Sequence, residues 1–185
     1  MLRWRLERRR YYPPMRFAAL FLLVACSSDK KDWSDTPLEP HTVTVKDITD
    51  ANTTVTFTIS VPKGLPTDKD EKPGTWNVTK FEGDYVPKIF TSLSSMPDAT
   101  LDDFIRGAIL NKDKMNLVRK ETRPDGFAIT DAPTTKRRIE VRTAKKLGAD
   151  NQLECTAVQV GDGEVPSPDK TRAMLEKICD SIAVK

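Results

Sequence analysis

The residues in this chain that could do covalent, acid–base or metal chemistry are few and far apart. Its 185 residues include three cysteines, Cys26, Cys155 and Cys179, and a single histidine, His41. Histidine is the usual general base near neutral pH, and His41 falls at the edge of the region that patterns as folded. Two cysteines and one distant histidine do not make a zinc set. The acidic cluster Asp68-Lys69-Asp70-Glu71 lacks the ligand spacing of a calcium loop and reads as a solvated loop. Asp102-Asp103 falls where a helix begins, and Gly161-Asp162-Gly163 reads as a turn. The phosphate-cradling patterns G-x-G-x-x-G and G-x-x-x-x-G-K-[ST] do not occur, nor does the G-x-S-x-G of serine hydrolases. No catalytic residue, metal ligand or cofactor is expected.

The elements that position these residues are strands and two helices. In Thr53–Val61, Val55, Phe57, Ile59 and Val61 alternate with threonines, the period of a half-buried strand, and Pro62-Lys63-Gly64-Leu65-Pro66 ends it. Thr42–Val45 is a weaker strand before it. Strands are also expected at 75–81, 88–93, 116–122, 126–130, 137–144 and 151–160, with Pro124-Asp125-Gly126 as a turn. Thr100–Leu110 reads as a helix capped by Thr100 and Asp103, with Leu101, Phe104, Ile105, Ala108 and Ile109 on one face. The closing helix has Ser167 as cap, Pro168 at its first position and the stripe Met174, Leu175, Ile178, Cys179 and Ile182. Cys179 lies on that stripe, and Cys155 shares a strand face with Leu153, Ala157 and Gln159. The expected fold is α+β, a single antiparallel sheet with a mid-chain helix and a C-terminal amphipathic helix packed on it.

The N-terminus has a different character. Arg3, Arg5, Arg8, Arg9, Arg10 and Arg16 precede the apolar run Phe17–Val24, which is far shorter than the roughly 20 residues of a bilayer-spanning helix. A basic stretch, a short apolar core and small residues at a cut are the parts of a secretory signal. Leu23-Val24-Ala25-Cys26 resembles the lipobox of bacterial lipoproteins. That resemblance implies a signal peptide over 1–25, cleavage before Cys26 and a lipid on its sulfur and new amino group. It also implies a bacterial envelope location, with the membrane as a partner through that lipid. Ser27, by analogy with enteric lipoproteins, points to the outer membrane, facing the periplasm. Translation from Met1 or from Met15 gives the same mature chain.

Cleavage changes the charge and cysteine counts. The chain has 30 basic and 27 acidic side chains. Less the six arginines and one glutamate of residues 1–25, it keeps 24 and 26, a net of −2. The basis for a nucleic-acid partner disappears with the signal. With Cys26 lipidated, Cys155 and Cys179 remain as an even pair in an oxidising compartment, where two thiols of one small domain usually join. Residues 26–40 are polar and read as a flexible tether. Trp33 within it is read either as a contact with the bilayer interface or as a partly exposed tryptophan. Residues 41–185 form one domain.

The order of elements over roughly residues 42–185 resembles the PsbP-like fold, which implies a non-enzymatic accessory or binding domain and transfers no functional residues. The partner is expected to be an envelope protein or a small ligand. Two surface features are candidates for binding. Trp76 is either an anchor for a partner or a core residue packed with Val78. Arg138 and Arg142 share the outward face of a strand with Glu140, and could meet anionic headgroups or form an ordinary charged sheet face. The alternative function is an envelope enzyme that uses carboxylates without histidine.

Overall fold

The structure, a computed structural model, describes residues 32–47, 53–64, 75–76, 86–108, 115–133, 138–160 and 167–185. The fold is α+β, with antiparallel strands in two sheets and two helices. The long strand predicted around Val55–Val61 is β2 (Thr54–Pro62), paired along its length with β1 (Leu38–Lys46). The larger sheet contains β3 (Thr75–Trp76), β4 (Val86–Ser94), β5 (Leu117–Arg123), β6 (Gly126–Asp131), β7 (Arg138–Lys146) and β8 (Gln152–Val160), in the order β3-β4-β8-β7-β6-β5. Helix α1 (Leu101–Ala108) follows β4, and α2 (Pro168–Asp180) follows β8. A two-residue strand, β9 (Ala183–Val184), completes a small sheet β1-β2-β9.

The expected single sheet is therefore two. Among the described residues, the link between their strands is one parallel bridge, Asp47 to Leu93. The reason lies in where β2 must put its apolar face. Phe57, Ile59 and Val61 are fully buried and share one core with Ile89, Val141, Leu153, Leu175 and Ile178. A hairpin that continued the large sheet past β4 would carry Phe57 and Ile59 away from α2. Turned over the sheet, the hairpin buries them against the helix.

Alternation assigns the faces of the large sheet. Ile89, Leu93, Val141, Leu153, Cys155 and Ala157 point into the main core under α2. On the opposite face Phe127, Ile129 and Ala144 meet Phe104 of α1 in a second, smaller core. Residues of β6 are buried on both sides for this reason. The α1 cap forms as expected. The Asp103 N–H donates to Thr100 Oγ1 at 3.1 Å, and the Thr100 hydroxyl donates to Asp103 Oδ2 at 2.7 Å. Gly126 opens β6 because a Cβ there would meet the carbonyl oxygen of Ala144 at 1.8 Å.

The cap expected at α2 does not form. Ser167 has φ 44° and ψ 62°, and its hydroxyl makes no hydrogen bond to the helix N-terminus. That hydroxyl bonds the Asp32 carboxylate instead. The boundary of the folded region moves for the same reason. Residues 32–40, expected in the tether, hold a 3-10 turn at Trp33–Asp35 and the first three residues of β1. Trp33 is 6% exposed and belongs to the main core, so neither expectation for it holds.

Cys155 and Cys179 are bonded, as the parity and face arguments require, with Cα atoms 5.6 Å apart. Both are buried, and the bond joins β8 to α2. Closing 24 residues in the unfolded chain stabilises the fold by about 3 kcal/mol in the chain-entropy model. The double variant Cys155→Ala/Cys179→Ala should lose about that much in urea unfolding. An unchanged midpoint would show that α2 docks without help from the bond.

Candidate functional site

Of the residues singled out by sequence, Cys26 lies outside the described residues, as do the acidic cluster at 68–71 and the turn at 161–163. Trp76 pairs in register with Ile89, and its side chain lies outside the described ones too. His41 sits in β1 with Nε2 3.4 Å from Glu39 Oε1, on the small sheet. Among the described residues no group of three side chains has metal-ligating geometry, and no helix is long and apolar enough to cross a membrane.

Arg138 and Arg142 lie on the face of β7 away from the main core, as expected, with Glu140 between them. Glu140 was expected to be outward, yet its side chain is only 9% exposed, because both arginines close over it. Arg138 Nη2 bonds Glu140 Oε2, and Arg142 Nε donates to Glu140 Oε1 at 2.5 Å. One carboxylate thus partners both cations and balances one of their two charges in place. This supports the ordinary charged face over a headgroup-binding one.

The opposite face is also tied by charge. Arg119 Nη2 donates to Glu121 Oε2 at 2.7 Å and to Asp180 Oδ2 at 3.0 Å, and Arg123 Nη2 donates to Asp180 Oδ1 at 2.9 Å. Asp180 ends α2, where a carboxylate opposes the helix dipole; the two guanidinium groups compensate it. Hydrogen bonds from Arg123 and then Arg119 hold the Glu121 carboxyl below the usual carboxylate range. On β6, the Thr130 hydroxyl donates to Glu176 Oε1 at 2.7 Å.

Two arrangements at the N-terminal end of α2 were not read from the sequence. The first is a latch. Asp32 Oδ1 accepts from the Ser34 N–H at 3.0 Å and the Ser34 hydroxyl at 2.6 Å, and Lys170 pairs with Asp35. Burial opposes ionisation of Asp32, but the bonds from Ser34 and Ser167 and the charge of Lys170 outweigh it. Its carboxyl lies below the usual range. The Asp-x-Ser spacing of an Asx turn was the available signal, and the polar composition around it concealed it. The second is a cleft of about 300 Å³ lined by Val118, Ala132, Pro133, Ile139 and Pro168, with Asp169 and Arg172 at its edge. Its lining comes from four separate segments, so no local pattern announces it. Gln159, opposite Ile139 in register, is fully buried with neither amide atom hydrogen-bonded.

The described residues thus form a two-sheet α+β fold, stapled by one disulfide and carrying a largely apolar cleft at the N-terminal end of α2. No protein-family model matches the chain, and no curated protein matches it in sequence.

Two tests separate these features. Glu140→Gln should cost about 1–3 kcal/mol by leaving two guanidinium groups without their carboxylate. Arg138→Ala, at a side chain 53% exposed, should cost under about 1 kcal/mol. Equal losses would contradict the central role of Glu140. Asp32→Asn should lower stability at neutral pH by about 1 kcal/mol. A depressed carboxyl stabilises above its unfolded pKa and loses that contribution as pH falls through the folded one. The gap between variant and wild type, read from Trp33 burial in acid titrations, should therefore close below the ordinary pKa near 3.8. A gap that persists there would remove Asp32 from the latch.

Proposed function

We propose that this chain is a lipid-anchored lipoprotein of the bacterial envelope whose domain is a non-enzymatic accessory or binding module. The observation that carries the reading is Leu23-Val24-Ala25-Cys26 at the end of a basic and then apolar leader. A disulfide between the two other cysteines suits an oxidising compartment. Carboxylates at candidate positions are committed elsewhere: Glu140 to two arginines, Asp180 to two more, Glu176 to Thr130 and Asp32 to Ser34. Asp98 accepts from Gln152 Nε2 at 2.8 Å. This arrangement favours binding over acid–base work. The finer fold assignment remains PsbP-like, for which the antiparallel sheet with packed helices is the support. With Ser27 after the lipidated cysteine, the proposed location is the outer membrane, facing the periplasm.

In cells grown with radioactive palmitate, the wild-type protein should incorporate label and fractionate with outer membrane. Cys26→Ser should abolish labelling and leave uncleaved precursor or soluble protein. Labelling that survives in the variant would overturn the anchor. A carboxylate-to-amide change that removed a measurable activity from a fully stable protein would overturn the non-enzymatic reading.

A further inference from the structure

Residues 32–40 of the expected tether are folded: they hold the latch, the 3-10 turn and the start of β1. The Asp32 carboxylate is held by Ser34 and Ser167, and the next residue, Trp33, is in the core. Asp32 is six residues beyond Cys26. Six residues fully extended reach about 20 Å. A domain of this size is roughly 40 Å across by the usual scaling of radius with length. A lipid on Cys26 therefore cannot let the far end of the domain face the membrane. The end held close is the one where Asp32 meets Ser167.

That end carries the cleft. Pro168, next to Ser167, lines it together with Ala132, Pro133 and Val118. Val118 is 45% exposed on edge strand β5. The charges nearby are already paired: Asp169 with Arg172 at 3.1 Å, and Lys170 with Asp35. The lining is thus largely apolar, and its two charged residues, Asp169 and Arg172, offset each other, which suits the interfacial zone of a bilayer.

Resting on the lipoprotein reading, we propose that the cleft-bearing end of the domain lies against the bilayer that holds the Cys26 lipid. Val118, Pro133 and Pro168 sit at the interface there. The β7–β8 turn around Asp150, at the opposite end of those strands, faces away. The partner surface of the domain then lies on the sides and the far end, and the cleft is occupied by the membrane.

The test uses the acylated mature protein in vesicles of phosphatidylethanolamine and phosphatidylglycerol. A nitroxide is placed by Val118→Cys or Asp150→Cys, since the disulfide protects Cys155 and Cys179 from the label. Collision with a water-soluble nickel chelate should be several-fold lower at position 118 than at 150, and collision with oxygen higher. Ala132→Cys supplies a second probe of the same rim if Val118→Cys disturbs β5. Equal accessibility at both ends, in protein that floats with the vesicles, would overturn this orientation alone. Failure of the acylation-competent protein to float would overturn the anchor, and the orientation with it.

Discussion

The docking of one helix, α2, on the core face of the large sheet is the constraint on which the rest of this fold depends. Leu175, Ile178 and Cys179 are its buried stripe, and the disulfide fixes that stripe to β8. From this position α2 packs on β7, β8 and β2 and reaches polar partners on β5 and β6. Glu176 takes the Thr130 hydroxyl of β6, and Asp180 takes Arg119 and Arg123 of β5. Ser181, just after the helix, accepts from the Ser60 N–H of β2 at 2.8 Å while donating to the Ile178 carbonyl at 2.6 Å. The chain then enters β9, which pairs with the edge of β2 that β1 leaves open. At the other end, Ser167 and Lys170 hold the 3-10 turn of residues 33–35.

Much of this was legible because period and residue type agreed. Val55-x-Phe57-x-Ile59-x-Val61 could only be a half-buried strand, and the α2 stripe placed Cys179 toward Cys155 before any coordinates were considered. The number of sheets was not legible. Strand periodicity says which face is buried but not what buries it, and β2 has the same pattern whether it extends a sheet or folds over one. β9 was missed because two residues, Ala183 and Val184, carry no period; their pairing comes from the position of α2 and from the Lys185 N–H donating to the Thr56 carbonyl at 3.1 Å. Residues 32–40 were misread for a different reason. Composition alone made them a tether, and a single large aromatic, Trp33, outweighed that composition by entering the core.

The candidate site shows the same division. A lipobox-like string is local, so the resemblance at Leu23-Val24-Ala25-Cys26 is legible in the sequence. The cleft is assembled from strand ends and a helix start that are far apart in sequence, and neither Val118 nor Pro133 stands out in it. Glu140 lies between these extremes. Its place between Arg138 and Arg142 at alternate positions was visible, while its burial depended on both guanidinium groups turning inward to it. The latch at Asp32 ties residues 32–35 to the start of α2, and the proposed orientation of the domain rests on it.

Hydrogen exchange of the native protein tests directly whether the latch, the small sheet and α2 are one cooperative unit. The Thr36 N–H donates to the Trp33 carbonyl at 2.9 Å, and the Lys63 N–H donates to the Pro37 carbonyl at 2.8 Å. If α2 holds these segments, both amides should exchange with the same opening free energy as the amide of Ile178, through global unfolding. Exchange at Thr36 and Lys63 by local fraying, while Ile178 stays protected, would contradict a single unit in which α2 holds the latch and the small sheet.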